Sequence, residues 1–453
     1  MSTKLTPSDN ELKDVLRSLK SSNPSLGIPK IHALLLQSRP DWLVSEKRTR
    51  KFLQNEGLVI SADPNGNSFQ EKGKAPYPSS RVIPNFDVEK WSTKVEVKYF
   101  NKRKGKGLVA KENISEGDTL WKEDPFIIAP EWELYDLQVQ SSACSHCTTP
   151  FSATTSTSLI TSCPSSSSFA SSSTDCPARF CNRLCQARSA KNHSLLCPSQ
   201  NPASIPLLKW AHEAQWLALH ALAQLTSRMM LANQVDSKLA EEDWRIYSSL
   251  AQMSMVDRAK YCFNEGEADP ASQEGWKKAF ELYMQAFKRP ASSSEQKKLA
   301  KLYKKPLRAE VERELFEYEG FLRGLGRMSL NLEAHGGLYA LHSHMNHSCS
   351  PNISVRHLDR TTLSRVSIIA LRDIKVGEEL NVTYVNPKND VRARQRELEQ
   401  WGFGKCMCER CVREVKELKD KGEDVEPVNG DASGGSFDMK DLEKELKAGF
   451  GLM

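Results

Sequence analysis

The alternation of apolar and polar positions divides the chain into stretches of different period. From residue 8 to 60 the apolar positions recur at helical spacing. Ser8-Asp9-Asn10-Glu11 offers a cap for a helix through Lys20, SNPSLGIPK breaks it, Ile28 to Gln37 restarts helically, and Arg39-Pro40 ends that segment. Ser45 caps a third helix that Gly57 stops. The pattern predicts a small helical module over 1–60, then a polar Pro/Gly/Ser linker over 61–85. At 93–128 the period changes to two. Val95, Val97 and Tyr99 alternate with charged residues; a glycine-rich turn, a short strand at Leu108-Val109-Ala110 and another around Thr119-Leu120-Trp121 follow. Residues 205–332, rich in Leu, Ala, Glu, Lys and Gln, read as several helices, and 351–385 return to strand patterns. The fold class expected is α+β.

Two segments lie outside these patterns. The Ser/Thr-rich run at 152–174 is of low complexity and expected to be a disordered loop. The tail at 416–453 is charged and expected to be partly disordered, with a short helical stretch from Asp438 to Lys447. A length of 453 residues implies roughly two to four domains. The net charge of +6 is a weak excess that permits an acidic partner without demanding one. No apolar run approaches the roughly 20 residues of a membrane span, and the N-terminus lacks an apolar signal core. The expected compartment is therefore the cytoplasm or the nucleus. Among the 12 cysteines, ten fall in three bunches, and in a reducing compartment that bunching points to zinc rather than to disulfides.

The bunches carry ligand spacings. Cys144-x2-Cys147 precedes Cys176-x4-Cys181-x3-Cys185-x7-His193-x3-Cys197. The Cys181/Cys185 and His193/Cys197 pairs fall one helical turn apart, on one face. The stretch resembles a MYND zinc finger, including its helix-borne FCNRLCQ segment, Phe180 to Gln186. By that resemblance Cys144, Cys147, Cys181 and Cys185 bind one zinc, and Cys163, Cys176, His193 and Cys197 the other. The departure is the twelve residues between Cys163 and Cys176, where the family has a tight Cys-x2-Cys. Either Cys163 completes the second site across a long serine loop, or that site is degraded.

Further motifs follow in a specific order. The turn Asn101-Lys102-Arg103-Lys104-Gly105-Lys106-Gly107-Leu108 lets backbone approach a ligand closely. Asn346-His347-Ser348-Cys349-Ser350-Pro351-Asn352 precedes a strand; Gly377-Glu378-Glu379-Leu380-Asn381-Val382-Thr383-Tyr384 comes next, then Gly402-Phe403 with Cys406-x-Cys408-x2-Cys411. In this order they resemble the SET domain of lysine methyltransferases, and the inserted finger narrows the likeness to the SET–MYND group. The domains implied are a SET domain over 93–386, enclosing a MYND-like finger at 144–197 and a helical insert at 205–332, then a post-SET zinc segment at 400–415. The resemblance implies S-adenosylmethionine as cofactor, held by Lys106, Gly107, Asn346, His347 and Phe403, with Tyr384 at the methyl-transfer centre and also against the cofactor. It implies a post-SET zinc on Cys349, Cys406, Cys408 and Cys411, and so two or three zinc ions in all. The compact form is similar to fungal enzymes acting on the histone H4 tail, which implies a histone-tail substrate, a nucleosome partner and a place in the nucleus on chromosomes, with no membrane.

Other readings remain at this point. A degenerate SET domain would leave a non-enzymatic MYND-type chromatin adaptor, although the glycine turn, Asn346, His347 and Tyr384 are all present. The segments around Gly27–Leu35 and Val44–Leu53 resemble the helix-turn-helix of some transposases and integrases, with Lys47, Arg48, Arg50 and Lys51 opening the third helix. That module is either a DNA contact, in a regulator led by it or beside an enzyme, or a small packing unit with a solvated basic face.

Overall fold

The computed structural model describes residues 5–23, 26–55, 77–101, 103–152, 158–166, 175–261 and 270–423. Most of the linker expected at 61–85, parts of the Ser/Thr-rich run and the helical stretch at Asp438–Lys447 lie outside the described residues. Among the described residues no helix is long and apolar enough to cross a membrane.

Three helices open the chain: α1 (Asp9–Ser22), α2 (Ile28–Ser38) and α3 (Glu46–Asn55). Ser8 caps α1 through a reciprocal box, its hydroxyl accepting from the Glu11 N–H while the Glu11 carboxylate accepts from the Ser8 N–H at 2.9 Å. The helices share a core of Leu12, Leu16, Ile31, Leu35, Trp42, Val44 and Leu53. The module is not detached: α3 lies against β1 (Val95–Asn101).

β1 turns back into β2 (Gly105–Ala110), which is buried along its whole length. β3 (Thr119–Glu123) and the two-residue β4 (Ile127–Ile128) lead into α4 (Trp132–Val139). Among its described residues the cysteine region contributes β5 (Thr161–Ser162), β6 (Arg179–Phe180) and α5 (Arg183–Ser189). Eight helices follow in a separate core: α6 (Ile205–Glu213), α7 (Leu217–Val235), α8 (Ser237–Ser249), α9 (Met255–Tyr261), α10 (Pro270–Phe287), α11 (Ser293–Leu302), α12 (Ala309–Phe316) and α13 (Tyr318–Asn331). α7 runs through the middle of that core, which explains why its sequence is apolar all round rather than amphipathic.

The chain returns through β7 (Gly337–Leu338), β8 (Asn346–His347), β9 (Ile353–Arg356), β10 (Val366–Ala370) and β11 (Glu379–Val382), and ends in α14 (Val391–Gln400) and α15 (Glu409–Asp420). The returning strands close sheets that the first strands began: one has the order β1-β2-β11-β8, another β3-β10-β9, and β4 pairs with β7. The apolar layer common to them holds Val95, Leu108, Leu120, Trp121, Leu341, Ile353, Val366, Ile368 and Leu380.

The neck of the insertion is tight. Ile127 pairs with Leu338 and Ile128 with Gly337, and the Ala129 N–H donates to the Gly336 carbonyl at 2.9 Å. Gly336 has φ +86, and a Cβ there would sit 1.6 Å from the Ala129 carbonyl oxygen. Gly336→Ala is expected to destabilise the chain by at least about 2 kcal/mol, since the clash adds to the cost of a left-handed backbone. Gly377→Ala is the control, at φ +81 with open space around it, and should cost only about 1–2 kcal/mol. Denaturant midpoints measure both; equal losses would show that the neck is not tight.

Candidate functional site

The cysteines assemble in three groups of four. Cys144, Cys147, Cys181 and Cys185 form one; Cys163, Cys176, His193 and Cys197 a second; Cys349, Cys406, Cys408 and Cys411 a third. Within each group the ligand atoms lie within 4.8 Å of one another. The sulfur separations of 3.5 Å for Cys147–Cys181, 3.9 Å for Cys163–Cys197 and 3.4 Å for Cys349–Cys411 are far longer than the roughly 2.05 Å of a disulfide. Four soft donors converging at such range, most of them buried, suit a tetrahedral zinc. The Cys163 side chain stands within the second group, so the long serine loop does not keep it away.

The third group borders an aromatic centre. Tyr384 follows β11 by two residues, which sets its main chain beside β8, because β8 and β11 pair in parallel with Asn381 opposite Asn346 and Val382 opposite His347. The Tyr384 hydroxyl donates to the Met345 carbonyl at 2.7 Å, and its ring lies 5.1 Å from Phe403 and 5.3 Å from His347. Burial pushes the phenol above its ordinary range, so it stays protonated at neutral pH. The His347 imidazole does not point into open space. Nδ1 accepts from the Tyr384 N–H at 3.0 Å, and Nε2 lies 3.2 Å from Cys349 Sγ.

The glycine turn meets this centre from the other side. Gly107 packs so closely that a Cβ would lie 2.5 Å from the Phe100 ring and 2.8 Å from Asn346 Nδ2. Asn346 Nδ2 donates to the Lys106 carbonyl and to Glu379 Oε1, both at 2.9 Å. The Lys106 side chain runs inward. Its Nζ is buried and has no hydrogen-bond partner, and burial pushes its pKa down to about 7. An ammonium in that position calls for an anionic partner. Asn381 Nδ2 nearby in sequence to Tyr384 is likewise buried and unpartnered. The Asn381 amide, on the face where Gly107 meets Asn346, is an unpartnered donor that suits a polar ligand such as S-adenosylmethionine; Lys106 alternates with Gly107 along β2, and its ammonium lies beside His344 on the core side.

Sequence reasoning missed Glu379, which receives Asn346 Nδ2 and pairs with Lys104. It also missed Asn352, whose side chain donates to the Glu379 carbonyl at 2.9 Å and accepts from the Asn381 N–H at 2.8 Å. Asn352 closes the NHSCSPN stretch and so was in view; nothing local marked its partners. Arg394 gave no signal at all, although it is fully buried with Nη2 3.6 Å from Cys411 Sγ.

The arrangement defines a mixed α and β protein with sulfur-rich groups able to hold metal and an aromatic centre where a glycine turn meets the returning strands. The SET domain family matches residues 105–385, and the chain belongs to that family. It is similar to the histone-lysine N-methyltransferase SET5 of Mycosarcoma maydis, 31% identical over 71% of this chain and 68% of that protein. It is also similar to the proteins of the same name from Candida albicans, 30% identical over 92% of this chain and 83% of the other, and Scheffersomyces stipitis, 28% identical over 91% and 82%.

Elemental analysis of the purified chain is expected to give three zinc ions per molecule, one for each group. Cys408→Ser and Cys163→Ser should each lower the count by one. A wild-type count of two that Cys163→Ser does not change would show that the second group holds no metal.

Proposed function

We propose that the chain is an S-adenosylmethionine-dependent histone-lysine N-methyltransferase. What carries the reading is a single juxtaposition on a SET framework: the protonated Tyr384 hydroxyl, the Met345 carbonyl and the Phe403 ring stand at the strand return that also meets the Lys106–Gly107 turn. When bound, S-adenosylmethionine supplies a methyl group on a sulfonium sulfur. Lys106, Gly107, Asn346 and His347 are the residues to hold it, largely through backbone groups. Tyr384 and Phe403 are the walls of a narrow channel for the substrate lysine.

A free lysine is mostly protonated at neutral pH, because its pKa is near 10.4. A dry aromatic channel disfavours the ammonium and lowers that value. S-adenosylmethionine, when bound, would supply the methyl group to an amine that has given its proton to solvent. Tyr384 and the main-chain carbonyl of Met345 orient the amine rather than remove its proton. Alignment of this kind lowers the barrier by several kcal/mol, up to roughly 7–11 in the best cases.

The finer reading is a histone H4 tail presented on a nucleosome, in the nucleus. The Cys144–Cys197 region acts as a MYND-type finger in this reading, and the N-terminal helices as a DNA contact. Of the four basic residues that open α3, Arg48 is engaged with Asp9 at 2.6 Å and Arg50 with Glu46 at 2.9 Å, the latter an exposed pair, and Lys47 and Lys51 are exposed as well. Lys47, Arg50 and Lys51 are the phosphate contacts of the proposal. Because α3 lies against β1, changing these side chains is a cleaner test than deleting the module.

Mass spectrometry of nucleosomes incubated with the protein and S-adenosylmethionine tests the main reading. Added methyl groups on histone lysines are expected, and their absence with every histone would leave the adaptor reading in its place. Tyr384→Phe should cut methyl transfer by roughly an order of magnitude or more. It removes one hydrogen bond worth about 1 kcal/mol, so the melting temperature should move little. Full activity in that variant removes Tyr384 from the reaction centre. The triple variant Lys47→Gln, Arg50→Gln, Lys51→Gln should lower turnover on nucleosomes and not on a free histone peptide. The gap should close as salt rises, because counterion release then favours phosphate contacts less. A gap that does not respond to salt removes the DNA contact.

A further inference from the structure

His347 sits at a junction the proposed reaction does not explain. Its Nδ1 faces the Tyr384 N–H at 3.0 Å, and its Nε2 faces Cys349 Sγ at 3.2 Å. A backbone N–H can only donate, so Nδ1 must be the acceptor, and the ring proton then belongs on Nε2. The proton is thereby aimed at Cys349 Sγ. Cys349 is one of the four sulfurs of the third group, and Tyr384 carries the hydroxyl at the centre. The ring is thus the shortest bridge between the two. Its backbone is held separately, by the pairing with Val382 and by the Ser348 N–H donating to the Val382 carbonyl at 2.9 Å.

We infer that His347 is a positioning residue that couples occupancy of the Cys349, Cys406, Cys408 and Cys411 metal site to the placement of Tyr384. The physical argument is charge. Four thiolates around a divalent zinc carry a net charge of −2, and a buried site of that charge needs donors around it. The described structure supplies two from side chains, Arg394 Nη2 toward Cys411 Sγ at 3.6 Å and His347 Nε2 toward Cys349 Sγ. A zinc-bound thiolate accepts a far stronger hydrogen bond than a neutral thiol. Filling the site therefore locks the ring in the Nε2–H tautomer, and the locked ring presents Nδ1 to the Tyr384 main chain. With the site empty, a protonated Cys349 gives Nε2–H a weak acceptor, and the ring loses the contact that orients it. A metal bordering the centre thus acts on the Tyr384 main chain through one imidazole.

The inference rests on the reading of the third group as a zinc site and of Tyr384 as part of the reaction centre. The wild-type chain's own zinc content and methyl transfer report on that reading, independently of any His347 variant. The two nitrogens separate by substitution. His347→Asn puts an amide oxygen near the Nδ1 position and nothing near Sγ; His347→Gln reaches toward Sγ and leaves the Tyr384 N–H without an acceptor. Zinc loss to a competing chelator should be faster by about tenfold or more in His347→Ala and His347→Asn, the range typical of lost outer-shell contacts, and close to wild type in His347→Gln. With zinc held in excess, kcat should be better retained in His347→Asn than in His347→Gln or His347→Ala, with KM for the peptide the same across the series. Equal zinc loss in the Asn and Gln variants, or equal kcat in them at saturating zinc, overturns the coupling. If the variants do not fold, the wild-type protein still decides. The 15N spectrum of its zinc-loaded form should show His347 as the Nε2–H tautomer, and an Nδ1–H ring overturns the inference.

Discussion

The geometry of the centre depends on one buried amide. The Asn352 side chain is 2% exposed; it donates to Glu378 Oε1 at 3.1 Å and to the Glu379 carbonyl at 2.9 Å, while its oxygen receives the Asn381 N–H at 2.8 Å. It behaves as a piece of strand, satisfying main-chain groups of β11 that no neighbouring backbone reaches. Its own carbonyl accepts from the Leu371 N–H, so the end of β10 is fixed as well. The two-residue parallel pairing of β8 and β11 is too short to hold itself, and Asn352 supplies what it lacks. Asn346, His347 and Tyr384 take their places from that pairing.

A second buried network ties the cysteine region to the strands. The Ser364 N–H donates to the Cys147 carbonyl at 3.1 Å, and the Leu363 N–H to Thr149 Oγ1 at 3.1 Å. Tyr339, fully buried, donates its hydroxyl to the Ser364 carbonyl at 2.5 Å and meets His335 Nε2 at 2.8 Å. Behind it His342 and Glu333 form an ion pair at 2.6 Å, and Glu123 accepts from the Leu341 and His342 N–H groups. Each of these groups would be costly if left alone. Together they admit one arrangement, so the finger-like region has a defined seat on the strand core.

What could be read from the sequence was local. The alternation at Val95, Val97 and Tyr99 marked β1 because period-two patterning is imposed by one buried face, whereas Leu108-Val109-Ala110 reads as a continuous apolar run because β2 is buried on both faces. The short cysteine spacings marked candidate metal ligands, and their division into three groups came from the family resemblance. Cys163 was not decidable, since twelve intervening residues say nothing about where a loop returns. The partners of Asn352, Glu379 and Arg394 come from distant parts of the chain and leave no periodic trace. The same holds for α3, whose contact with β1 spans a segment with no patterning of its own. Arg394 shows the limit best. It lies in a helix of strongly polar sequence, VRARQRELEQ, where a solvated arginine is the default, yet it is fully buried, bonded to Glu414 and the Asn389 carbonyl and set beside Cys411. The Glu414 carboxylate, with the Cys411 and Cys349 sulfurs beside it, offsets the cost of that burial.

The long insertion between β4 and β7 is physically inexpensive for the same reason that the centre is precise. The entropic cost of closing a loop grows only with the logarithm of its length, about 0.6 kcal/mol per doubling. What matters is that the two ends meet. Ile127 and Ile128 pair with Leu338 and Gly337, and the Phe126 N–H donates to the Leu338 carbonyl at 2.6 Å. Phe126, Ile127 and Leu338 also belong to the helical core, so the neck is buried on the insert's side while its neighbours Tyr339 and Leu341 belong to the strand core. The insert folds on its own apolar cluster, and the neck is not its only tie: Ser79 and Gln252 exchange N–H···O=C bonds at 2.9 and 2.8 Å, and the Arg81 N–H donates to the Ser249 carbonyl at 3.2 Å. The segment before β1 therefore seats the helical insert a second time, and the place of the insert on the strands is set by paired backbone at both points rather than by the length of chain between them.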